Sequence, residues 1–154
     1  LVPGGVISFV NVGTVQNGSS AVTLSIGRYD GPFFSRKLGH LAGDQVLKSL
    51  ARLLQSSFRK SDAVIRYGGE EFLLVLFDVD PERMSEMMEE LRRKVKNQRF
   101  SWQGNPIRIS VSIGWASCPA CLKQSELEEH IARIDAALYT AKSTGRDLVV
   151  RATD

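Results

Sequence analysis

The sequence predicts an α+β domain, a central and mainly antiparallel sheet with helices packed against it in the order βαββαβαβ. Apolar residues recur at helical spacing over residues 41–57, 81–97 and 125–143. Short β-rich runs alternate with these stretches, and two of them, 63–66 and 72–76, flank a Gly-Gly pair as a hairpin would. The chain of 154 residues, 43% hydrophobic and 24% charged, is long enough for one domain with a proper core. No linker, repeat or low-complexity stretch divides it.

Val6 to Val10 and Ala21 to Ile26 are strand-like, with Asn17-Gly18 as a turn signal between them. The second of these runs is expected to be the first core strand. Residues 1–20 form an atypical N-terminal segment, and 21–154 form the domain proper. Residues 41–57 place Val46, Leu47, Leu50, Leu53 and Leu54 on one helical face. After the hairpin, Pro81 sits where a first helical turn tolerates proline. Met84, Met87, Met88, Leu91 and Val95 then follow at helical spacing, and such a methionine stripe reads as core packing. Residues 107–116 alternate apolar and polar side chains, as a half-buried strand does. The third helix carries Leu127, Ile131, Ile134, Leu138 and Ala141, and Leu148-Val149-Val150 closes the chain as a strand.

The formal net charge of +3 suits polyphosphate ligands, but no basic cluster argues for DNA or RNA. No apolar run reaches transmembrane length and no signal peptide is visible. Without an initiator Met, the chain reads as a cytoplasmic domain excised from a longer protein. An input or membrane domain is expected outside it. Cys118 and Cys121 make a lone CxxC. Zinc would need a second pair of ligands, and only His130 lies near in sequence, so the pair reads as reduced loop thiols.

The chemistry concentrates between Arg59 and Leu76. Gly68 and Gly69 leave room for another backbone or a phosphate to come close. Glu70 and Glu71 follow at the tip, and two adjacent carboxylates repel unless a cation or solvent compensates. Taken alone, this is a Gly-Gly turn with solvated acids. Other motifs accompany it: Arg59-Lys60-Ser61-Asp62, Gly39-His40 with Gly43-Asp44, Val111-Ser112-Ile113-Gly114, and Asp135-Ala136-Ala137-Leu138-Tyr139 running through Ala141-Lys142 to Gly145-Arg146. In this order and spacing the set resembles the GGDEF family of diguanylate cyclases in its GGEEF spelling, over about Ala21 to Arg151.

The resemblance implies a palm-like nucleotidyl-cyclase fold. It also implies conversion of two GTP to cyclic di-GMP and two pyrophosphates across a homodimer, with Mg2+ or Mn2+ as cofactor. It assigns Glu70 to the metal and Glu71 to the reacting hydroxyl, with Gly68 and Gly69 admitting the nucleotide. Asp44 falls on the guanine edge, and Lys142 and Arg146 on the terminal phosphates. Arg59 and Asp62 match an RxxD inhibitory site for cyclic di-GMP. There an arginine fork and a carboxylate can converge on one base.

Departures from the family pattern are equally specific. Counting back without gaps from Gly39-His40, the family's first metal aspartate falls at Gly27 and its second at Tyr29; a gapped alignment would recruit Asp30 instead but deletes three residues elsewhere, so the ungapped one is preferred. Gly31 and Pro32 replace a Phe-Lys pair that cradles phosphate, and Pro32 has no N–H to donate. Ser35 replaces an asparagine that contacts guanine. An auxiliary arginine of the inhibitory site falls at Glu90. Losing a carboxylate that binds the ion directly removes most metal binding, so the expectation is weak or lost catalysis with cyclic di-GMP binding retained. The alternative is a fully degenerate domain acting only as a cyclic di-GMP or GTP receptor or interaction module.

Overall fold

A computed structural model describes residues 20–30, 39–66, 71–77, 79–117 and 124–153. The elements are β1 (Ser20–Asp30), α1 (Gly39–Ser57), β2 (Ala63–Arg66), β3 (Glu71–Leu76), α2 (Pro81–Asn97), β4 (Phe100–Trp102), β5 (Asn105–Ser117), α3 (Gln124–Ser143) and β6 (Val149–Arg151). The sheet order is β2-β3-β1-β5-β4, with β6 also on β5. Every pairing is antiparallel except β5 with β6. The expected mainly antiparallel sheet with packed helices is therefore present. The strand-like run 6–10 lies outside the described residues.

Side chains alternate across the strands, so each face has its own partners. Phe72, Leu74 and Leu76 of β3 and Ile107 to Trp115 at odd positions of β5 join Val46, Leu50 and Leu54 of α1 and Met84, Met88, Leu91 and Val95 of α2 in one core. The opposite face carries α3. There a Cβ on Gly114 would lie 2.5 Å from the Leu138 nitrogen and 2.6 Å from the Ile134 carbonyl oxygen, so the helix backbone rests directly on that glycine. On the same side of β3, Leu73 and Val75 pack with Ile65 of β2.

Three expectations need correction. The string βαββαβαβ omits β4, which forms a hairpin with β5 through Gln103 (φ 47°) and Gly104 (φ 80°), the positive angles of a type I′ turn. The strand expected to end at Ile26 continues to Asp30. Its register against β5 shifts between Ile26 and Arg28, which makes Gly27 the extra residue of a β-bulge. The third correction concerns β5, which is not half-buried. From Ile109 to Ala116 both faces are covered, because Ser110 and Ser112 lie on the face that α3 covers, and buried small hydroxyls read as an exposed face in the sequence.

Candidate functional site

Antiparallel pairing brings the C-terminal ends of β1 and β2 and the N-terminal end of β3 to one end of the sheet. Ser25 pairs with Glu71 on one side and with Ser112 on the other, so Gly27 lies just past Glu71 toward the β2–β3 connection. The C-terminus of α3 reaches the same end. There Lys142 Nζ lies 3.1 Å from Glu71 Oε1, with side chains 27% and 36% exposed. Lys142 is therefore more than a solvated cation at a helix end. It joins the last turn of α3 to the first residue of β3. Asp44 is exposed on the N-terminal half of α1. Gly68, Gly69 and Glu70, together with Gly31, Pro32 and Ser35, lie outside the described residues.

Arg146 sits in the turn that ends α3. Its N–H donates to the Ala141 carbonyl at 2.9 Å, closing the helix in a Schellman-type turn around Gly145. Arg146 (φ 62°) and Asp147 (φ 51°) are both left-handed, a conformation that non-glycine residues seldom adopt. Asp147 holds two cations of α2: Oδ1 accepts from Arg92 Nη1 at 2.8 Å and Oδ2 from Lys96 Nζ at 2.5 Å. Glu89 grips the other side of the same guanidinium, accepting from Nε at 3.1 Å and from Nη2 at 2.9 Å. Burial pushes the Asp147 carboxyl up, but the bonds from Lys96 and Arg92 outweigh it and hold the group below its ordinary range. Arg92 is raised, chiefly by its hydrogen bonds to Glu89 and Asp147.

At the other end of the β2–β3 hairpin, Arg59 and Asp62 are neighbours with unequal surroundings. The Asp62 side chain is 4% exposed and that of Arg59 57%. Asp62 Oδ2 accepts from the Arg59 backbone N–H at 3.0 Å, and Oδ1 from the Phe77 N–H at 3.1 Å. The Arg59 guanidinium donates to the Phe77 carbonyl and lies 3.6 Å from Asp62. The aspartate is thus a buried clasp between the end of α1 and the end of β3, whereas a simple surface ion pair would leave it open to solvent. A cavity of about 790 Å3 opens beside it, lined among others by Phe58, Arg59, Asp62, Arg83, Met87 and Glu90. Arg83, Met87 and Glu90 recur at i, i+4 and i+7 on α2, which sets them on one face. Sequence reasoning missed Arg83, although that spacing from Glu90 was its signal. It missed Asp147 for a different reason: its partners Arg92 and Lys96 are remote in sequence.

Among the described residues, no group of three or more His, Cys, Asp and Glu side chains could hold a metal ion. The carboxylate of Glu71 is already paired with Lys142, and position 27 offers no side-chain oxygen. Glu71 and position 27 thus offer a divalent ion no unpaired carboxylate, and Glu70, to which the resemblance assigns the metal, lies outside the described residues. Nor is any helix among them long and apolar enough to cross a membrane.

Residues 16–148 match the family model described as diguanylate cyclase, GGDEF domain. Among curated proteins, the chain is 34% identical over 137 residues to diguanylate cyclase A of Treponema denticola, covering 87% of this chain and 36% of that protein. It is 41% identical over 114 residues to diguanylate cyclase DgcM of Escherichia coli, covering 74% of this chain and 26% of that one. The chain thus spans only about a third or less of these two relatives. Among solved structures, the GGDEF domain of DgcB from Caulobacter crescentus in complex with c-di-GMP superposes with a TM-score of 0.71. The two are 29% identical, over 86% of this chain and 77% of that one. The active GGEEF domain of a diguanylate cyclase from Vibrio cholerae gives a TM-score of 0.72 at 28% identity, over 88% of this chain and 83% of that one.

Proposed function

We propose that this chain, which belongs to the diguanylate cyclase GGDEF-domain family, binds cyclic di-GMP beside Arg59 and Asp62 and turns GTP over weakly or not at all. The observation that carries this reading is the cavity itself, which gathers Arg59, Arg83 and the clasp carboxylate of Asp62 into one space. The exposed Arg59 fork can release a single carbonyl and turn to a guanine edge or a phosphate. Arg83 adds a second cation for a dianionic ligand, while Glu90 opposes it. Asp62, fixed by two backbone N–H groups, is held ready to accept from a base. The Caulobacter domain solved with c-di-GMP, similar along most of its length, supports the same ligand class.

The remnant substrate site would use the sheet end where Glu71 meets Lys142. In this reading Asp44 takes the guanine edge, Gly68 and Gly69 admit the nucleotide, Glu70 and Glu71 face the reacting groups, and Lys142 and Arg146 hold the terminal phosphates. Mg2+ or Mn2+ would neutralise charge on the phosphates when bound. Gly27 at the bulge supplies no carboxylate to help hold such an ion, so catalysis suffers before GTP binding does. A homodimer as the active state and an input domain outside this segment belong to the same proposal. A pure receptor is the second reading, and Gly27 is the observation that favours it.

Incubation with GTP and Mg2+ or Mn2+, followed by chromatography for cyclic di-GMP, tests the catalytic half. Equilibrium dialysis of cyclic di-GMP runs beside it. The expected result is saturable binding with little or no product. Turnover of about one per second, ordinary for enzymes, would contradict it.

A further inference from the structure

The clasp on Asp147 has a consequence for the phosphate end of the site. Arg146 and Asp147 are consecutive left-handed residues without glycine's freedom, and such strain persists only where the surroundings over-determine it. What holds this turn comes from outside it. Two cations of α2 grip both oxygens of Asp147, and Glu89 fixes one of those cations from behind. On the far side of the turn, the Leu148 carbonyl accepts from the Ile113 N–H at 2.9 Å, which pins the chain to β5. The turn is therefore tied to α2, to α3 through Ala141 and to the sheet, with Arg146 in its middle.

We infer that Asp147, through Arg92 and Lys96, is a positioning residue that fixes the turn from which Arg146 reaches the terminal phosphates of a nucleoside triphosphate. The inference rests on the reading of Lys142 and Arg146 given above and adds residues that motif matching does not supply. Its physical content is preorganisation. A guanidinium on a turn held at three points loses less freedom on binding a phosphate than one on a frayed helix end. Asp147 touches no ligand itself. Its carboxylate is consumed by α2, which also keeps a negative charge from facing the phosphate.

The test is calorimetric titration of GTP and of GMP, each with Mg2+, into wild type, Asp147→Ala, Asp147→Asn, Arg146→Ala and the Asp147→Ala/Arg146→Ala pair. Asp147→Ala should weaken GTP binding about tenfold and leave GMP, which lacks terminal phosphates, unchanged. Asp147→Asn, which keeps an acceptor for Arg92, should recover part of the loss. In the Arg146→Ala background, Asp147→Ala should have little further effect. Lys96→Met cuts half of the clasp at an exposed side chain and serves if Asp147→Ala fails to fold, with the same GTP-selective loss expected. Equal losses for GTP and GMP, or GTP affinity unchanged in the variants, would overturn the positioning role alone. Absence of GTP binding by wild type would overturn the substrate-site reading and this role with it.

Discussion

At the scale of single residues, the informative ones are those whose partners are backbone groups or lie far away in sequence. Asp62 was legible as half of an Arg-x-x-Asp pair, but its grip on the Phe77 N–H was not, because nothing in a local string announces a partner just past the end of β3. Asp62→Ala should leave the Arg59 and Phe77 N–H groups without acceptors, at a cost of about 1–3 kcal/mol for each that stays buried. A urea midpoint lowered at unchanged m would show this; an unchanged midpoint would reduce Asp62 to a surface charge. Asp147 makes a pH prediction. Its folded-state pKa is depressed, so its contribution is complete above the ordinary aspartate value of about 3.9 and is lost as pH falls through the lower folded value. The stability gap between wild type and Asp147→Asn, followed by denaturant melts, should hold steady between about pH 7 and pH 5 and close below about pH 4. A gap that persists undiminished in acid would show that the clasp does not depend on charge.

At the scale of elements, signals agreed wherever one element buries one face. The bounds of α2 follow from the sequence because a proline at the first turn and the period of Met84, Met88, Leu91 and Val95 point the same way, and Asp80 caps it by accepting from the Glu82 N–H at 3.0 Å. Elements shaped by tertiary contact were harder to read. β4 has only three residues and a Gln-Gly turn in place of the stronger Asn-Gly signal. The alternation in β5 suggested solvent on one face, where α3 in fact lies against Gly114. Gly114→Ala tests that packing. The new Cβ meets helix backbone, which cannot swing aside as a side chain would, so a loss of about 1–3 kcal/mol or more is expected in chemical denaturation. Near-neutral behaviour would mean that α3 is free to lift off the sheet.

At the scale of the molecule, the β2–β3 hairpin separates two kinds of chemistry. Its closed end lies beside Glu71, Lys142 and the bulge at Gly27, while its open end holds the Arg59–Asp62 clasp and the cavity. The motifs at both ends were legible because short strings encode them. The cavity's full lining was not, because Arg83 enters it from α2. In the proposed reading the two ends need different groups: one a carboxylate cluster, the other a fork donor, a fixed acceptor and a second cation. On that reading, the missing acid at position 27 leaves the open end intact. The most direct test is calorimetric titration of cyclic di-GMP into wild type, Arg59→Ala and Glu70→Ala. Loss of charge-assisted bonds in Arg59→Ala should cost about 1.5–3 kcal/mol, more than tenfold in affinity, while Glu70→Ala should bind as wild type does. Binding abolished by Glu70→Ala and untouched by Arg59→Ala would place the ligand at the closed end and contradict the assignment.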